Sequence, residues 1–143
     1  MSDRAQPAQL LWELPEGQTC RLTVRGNSMY PTLRDGQPAR LRRLPPEAVR
    51  LGDVVAIADP AGEITTHRLI WRRQDGATGR LWTKGDTVAG VDPPAPPDQC
   101  LGRLEHADGR PLPRLAPLLR AWGRVLLMGG FRGRRSAPPA DVS

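Results

Sequence analysis

Polar and apolar residues alternate along Thr19-Cys20-Arg21-Leu22-Thr23-Val24, the period of a strand with one buried face. Comparable runs recur at Pro38–Leu44, Asp53–Ala58, Glu63–Trp71, Arg80–Thr83 and Gln99–Leu104. Turn sequences stand between them: Gly26-Asn27, Asp35-Gly36, Leu51-Gly52-Asp53, Pro60-Ala61-Gly62, Asp75-Gly76 and Lys84-Gly85-Asp86. Pro31 keeps the residues after the first turn from continuing as a strand, and Pro93-Pro94-Ala95-Pro96-Pro97 predicts a stiff extended connector. The period changes near the C-terminus, where Leu115, Leu118, Leu119, Trp122, Val125 and Leu126 fall at helical spacing. Gly129-Gly130 is a stop signal for that helix.

Residues 1–18 hold one apolar cluster, Leu10, Leu11, Trp12 and Leu14, and read as a loose lead-in. The pattern therefore predicts a mainly β domain over residues 19–106, then a basic amphipathic helix and a disordered Pro/Ala/Ser tail over residues 107–143.

Composition narrows the chemistry. The chain has 143 residues, room for one domain, and at 38% hydrophobic and 4% aromatic its core must be mostly Leu, Val and Ala. With 16 prolines and 15 glycines, turns and short strands are favoured over long helices. Of the 21 basic residues only Lys84 is a lysine, which leaves His67, His106 and Lys84 as candidate bases.

The net charge of +6 permits acidic partners, but the arginines are spread along the chain and no nucleic-acid partner is expected. Only the segment from Arg110 to Arg135 has a local excess, seven arginines and no acid. Cys20 and Cys100 lack the paired spacing of a zinc site and are too few for a disulfide framework. They read as small buried or half-buried residues, and neither a metal nor another cofactor is expected. No stretch approaches the ~20 apolar residues of a membrane span, and Met1–Glu16 has no signal-peptide run. A cytoplasmic or peripheral membrane protein is expected.

Ser28 lies where a strand runs into Gly26-Asn27, residues that tolerate unusual backbone angles. Such a turn lifts a hydroxyl out of a sheet and exposes nearby N–H groups to an oxyanion; an ordinary polar turn serine fits the local pattern as well. A serine becomes a nucleophile only beside a base. His67 stands in the alternating run Glu63–Ile70, where it is a base or simply a surface residue. His106 reads as a solvated turn residue after a strand end, and Lys84 as an exposed, charged turn residue. A histidine base calls for a carboxylate to fix its tautomer, and Asp86 and Asp92 follow His67; either is equally a turn-capping residue.

Taken together, these segments resemble the signal peptidase I family. Gly26-Asn27-Ser28-Met29-Tyr30-Pro31-Thr32-Leu33 is similar to its nucleophile box, and Leu51-Gly52-Asp53-Val54-Val55-Ala56 to the strand box that follows. Thr66-His67-Arg68-Leu69-Ile70 is similar to the base box in its histidine form, where bacterial housekeeping enzymes have lysine. Thr83-Lys84-Gly85-Asp86 with Asp92 resembles the acidic box, and Gly102-Arg103-Leu104 the closing strand. The boxes keep the family's order over about residues 22–105.

The resemblance implies a coiled β-sheet catalytic domain of signal-peptidase type and a serine endopeptidase that removes a leader or signal peptide from a precursor. It implies Ser28 as nucleophile, His67 as base, and Asp92, with Asp86 as second choice, as the supporting acid. The Ser28 N–H is the implied oxyanion donor, with Asn27 beside it, and Met29 and Pro31 shape the substrate groove, helped by the strand near Val54 and Val55. Many relatives add a hydroxyl from a serine two places before the nucleophile; Gly26 stands there in this chain. Relatives also carry membrane spans, whereas this chain offers only the basic helix at 115–126 for contact with an anionic membrane surface, or for packing on the β domain with its arginines in water.

Two other functions fit parts of the pattern. Self-cleaving repressor peptidases share the implied catalytic fold, but they use a lysine base and a preceding DNA-binding domain, and only 27 residues precede Ser28. A degenerate, non-enzymatic basic interaction module is the other.

Overall fold

Val54-Val55-Ala56-Ile57-Ala58 is apolar at every position, and both of its faces are covered by other parts of the chain. The structure, a computed structural model, describes residues 5–73 and 79–127. This central strand is β3 (Val54–Ala58), set among β1 (Thr19–Thr23), β2 (Pro38–Arg43), β4 (Ile64–Arg73), β5 (Arg80–Lys84) and β6 (Cys100–His106). All neighbours pair antiparallel in one six-stranded sheet of order β1-β2-β6-β3-β4-β5. The described part of the chain is thus mainly β, with every strand within two residues of the span its pattern predicts.

On one face of β3, Val54, Ala56 and Ala58 join Ala39, Leu41, Leu101 and Leu104 in the main core. On the other, Val55 packs with Val49, Leu69, Leu81 and Cys100. Cys20 and Cys100 are free thiols, half-buried and buried respectively, and burial pushes the Cys100 thiol up to about 11.

The N-terminal segment departs from its expectation. Ala5–Trp12 forms helix α1 rather than a loose lead-in. Eight residues are too few for a stable isolated helix, and no acid supports its first turn. Tertiary packing forms it instead: Ala8 and Leu11 enter the main core, while the Arg43 guanidinium sits 5.0 Å from the Trp12 ring and its Nε donates to the Leu14 carbonyl at 3.2 Å.

Helix α2 (Leu115–Leu127) follows the predicted period and packs on the sheet, where Ala121 and Val125 are buried against Ile70 and Trp82. Trp122 Nε1 donates to the Ile70 carbonyl at 3.0 Å and its ring meets Trp71 edge-on at 6.1 Å. Part of the predicted apolar face is not covered: Leu115, Leu119 and Leu126 are 63%, 70% and 70% exposed. Among the described residues no helix is long and apolar enough to cross a membrane. The predicted Asp75-Gly76 turn, the Gly129-Gly130 stop and the tail lie outside the described residues.

Candidate active site

After β1 the chain turns at Gly26, whose φ of +80° lies in the left-handed region that glycine enters without strain. Two bonds lock the turn: the Gly26 N–H donates to Asp35 Oδ1 at 2.7 Å, and the Asp35 N–H donates to Asn27 Oδ1 at 3.0 Å. Asn27 thereby holds the turn with its amide oxygen. Met29, only 2% exposed, drops into the main core with Leu33. Pro31 is exposed after a cis Tyr30–Pro31 bond, while Val54 and Val55 are buried in the two cores rather than open at a surface. Ser28 itself is left half-buried on top of the turn.

His67 pairs with Val55 in the β3–β4 ladder, which fixes the face from which its ring projects. Its Nε2 is 3.1 Å from Ser28 Oγ and its Nδ1 is 2.6 Å from Asp92 Oδ2. A carboxylate only accepts, so Nδ1 carries the proton toward Asp92 and Nε2 is free to accept from the Ser28 hydroxyl. Asp92 is held in turn: its Oδ2 accepts from Thr83 Oγ1 at 2.7 Å, and its N–H donates to the Thr83 carbonyl at 2.8 Å. The Thr87 N–H donates to the Ser28 carbonyl at 2.9 Å and ties the Ser28 turn to the loop that follows β5.

Asp86 goes elsewhere. Its two oxygens accept from Arg68 Nε at 2.9 Å and Arg68 Nη2 at 2.7 Å, a forked pair on a guanidinium that is fully buried. Arg68 Nη1 also donates to the carbonyls of Gly52 and Pro113, both at 2.8 Å. Arg68 and His67 are consecutive on β4, so their side chains leave opposite faces of the strand, and each takes one aspartate of the loop after β5.

Lys84 is not the exposed turn residue that its sequence context implies. It is 1% exposed, and its Nζ donates to the Gly85 carbonyl at 2.9 Å. Burial holds its pKa below the ordinary lysine range, Arg124 adds to the effect, and Asp86 and Asp92 oppose it. His106 is not in a turn but ends β6, half-buried. Gly85 lies against the Ser28–His67 pair so closely that a Cβ there would sit 3.1 Å from both His67 Nε2 and Ser28 Cβ.

Ser28, His67 and Asp92, three of the residues singled out in the sequence, are thus joined in one hydrogen-bonded chain, and Asp86 is not part of it. Thr83, Arg68 and Gly85 were not singled out as site residues, although each lies inside a quoted segment; their roles depend on contacts across the ladder that no local pattern carries. The arrangement can take a proton from a hydroxyl and hold the resulting imidazolium beside a carboxylate. Among the described residues no group of three His, Cys, Asp or Glu could hold a metal ion. No protein-family model matches the chain, and a search of curated proteins finds no significant match.

Proposed function

We propose that this protein is a serine endopeptidase similar to the histidine branch of the signal peptidase I family, cutting a leader or signal peptide from a precursor. The observation that carries the reading is the chain from Ser28 Oγ to His67 Nε2 (3.1 Å) and from His67 Nδ1 to Asp92 Oδ2 (2.6 Å), built from three distant segments. In this reading Ser28 Oγ attacks the scissile carbonyl carbon as His67 takes its proton, and the imidazolium is stabilised by Asp92. Collapse of the tetrahedral intermediate expels the amine, which receives the proton from His67; water, activated in the same way, then releases the acyl group from Ser28. Among the described residues the Ser28 N–H has no intramolecular acceptor, which leaves it available to the oxyanion. The sheet order and the ordered sequence boxes support a coiled catalytic sheet of signal-peptidase type.

The exposed leucines of α2, together with Arg120 and Arg124 on its solvent side, favour an anionic membrane surface as a contact of this enzyme. A fluorophosphonate probe tests the catalytic reading. It should label Ser28, and labelling and peptide cleavage should both vanish in Ser28→Ala and His67→Ala with the melting temperature kept. Labelling that survives in folded Ser28→Ala would sink the mechanism.

A further inference from the structure

Strands β3 and β6 pair from Val55↔Arg103 onward; on the other side of that pair Glu105 bridges to Pro111 instead. A cleft of about 200 Å³ remains, lined among others by Arg50, Asp53, Arg103, Pro111, Leu112 and Arg114. Three arginines and one aspartate therefore share its lining. Asp53 Oδ2 already accepts from the Arg50 N–H at 2.8 Å. Glu105 approaches Arg103 only to 3.6 Å, and both its oxygens are held by Arg42, at 2.6 and 3.3 Å. Arg114 donates through Nε to the Leu51 carbonyl at 3.1 Å, which leaves its two terminal nitrogens. Among the described residues the Arg50 guanidinium has no carboxylate partner.

Gathered cations repel one another unless an anion enters, and guanidiniums bind oxyanions through paired donors. The cleft is also built. Gly52, at φ +96°, would carry a Cβ 2.4 Å from Arg114 Cγ, so only its bare α-carbon lets the Arg114 stem cross the turn. Arg68 Nη1 ties both sides of the cleft together through the Gly52 and Pro113 carbonyls. Its other donors hold Asp86, which links the cleft wall to the frame around His67.

We propose that this cleft is a binding site for a phosphoryl-type oxyanion, supplied either as free phosphate or as a phosphate-bearing headgroup. The site does not depend on the catalytic reading, and the test uses the Ser28→Ala protein so that activity plays no part. Inorganic phosphate is titrated calorimetrically at ionic strength fixed with chloride. In parallel the protein is sedimented with phosphatidylcholine vesicles with and without phosphatidic acid. Arg50→Gln and Arg103→Gln are each expected to weaken binding about tenfold, while Arg21→Gln, on strand β1, leaves it unchanged. Saturable phosphate binding weakened by these variants supports the site with free phosphate as ligand. Binding seen only on phosphatidic acid vesicles, with the same loss, supports it with the headgroup as ligand. Absence of binding in both arms, phosphate binding unchanged in the Arg50→Gln/Arg103→Gln double variant, vesicle binding that the double variant keeps when phosphate does not bind, or equal loss in Arg21→Gln overturns it.

Discussion

Arg68 and Lys84 stand directly opposite each other across the β4–β5 ladder, and both are shut away from solvent, at 0% and 1% exposure. Asp86 neutralises the first, whereas the second has the Gly85 carbonyl as its hydrogen-bond acceptor. Burial, reinforced by Arg124, lowers the Lys84 pKa from its value of 10.5 in the unfolded chain. Between the folded and unfolded values the native state binds fewer protons, so stability rises with pH across that window. Replacing Lys84 by Met should remove the slope. Melting temperatures of both proteins from neutral pH to about pH 10 should show wild type gaining on Lys84→Met; parallel curves would contradict the assignment.

The two aspartates should separate into chemistry and stability. Asp92→Asn keeps the shape but lets an amide donate toward His67, favouring the wrong tautomer. Turnover should fall on the order of 10³–10⁴-fold with the fold intact. Asp86→Asn leaves the Arg68 guanidinium buried without its carboxylate, at about 3–5 kcal/mol of stability. Turnover and melting temperature of both variants, measured under one set of conditions, check this division. Reversed outcomes would exchange the roles.

Gly85→Ala tests how closely the loop packs on Ser28 and His67. Gly85 is not at positive φ, so the alanine backbone is unstrained, but its methyl would lie 3.1 Å from His67 Nε2 and 3.0 Å from Val88 Cγ2. Displacing the Ser28–His67 pair by a fraction of an ångström to an ångström should lower kcat up to ~10²-fold. Fluorophosphonate labelling should slow in parallel with kcat. Unchanged labelling would show that the loop gives way instead.

The two thiols should differ in reactivity. Cys100 is buried with its pKa pushed up to about 11, whereas Cys20 is half-buried. A disulfide-exchange reagent at mildly alkaline pH should therefore modify Cys20 alone in the native protein and both thiols after denaturation, read by intact mass. Rapid native modification of Cys100 would overturn this.

Local pattern by itself determined the strands and the second helix. Period two at 19–24 and period near 3.6 at 115–126 are properties of neighbouring residues, because burial of one face imposes them whatever lies opposite. The candidate serine and histidine were legible for a similar reason, since Gly26 and Asn27 mark the turn and the chain has few groups able to act as a base. Helix α1 was not, because its stability comes from Ala8 and Leu11 meeting a core made by distant strands.

The family resemblance ranked Asp92 before Asp86, but the contact of Asp92 with the His67 ring exists only in the tertiary structure. Asp86 and Asp92 lie six residues apart in one loop, and nothing local ranks them. The β4–β5 register sets Lys84 opposite Arg68 and Leu69 opposite Thr83, so Thr83 lies on the His67 face and holds Asp92 there. Arg68, one residue on and on the opposite face, draws Asp86 away. The same register buries Lys84. Strand alternation is written in the chain, but the partner that each face meets exists only once the ladder has formed.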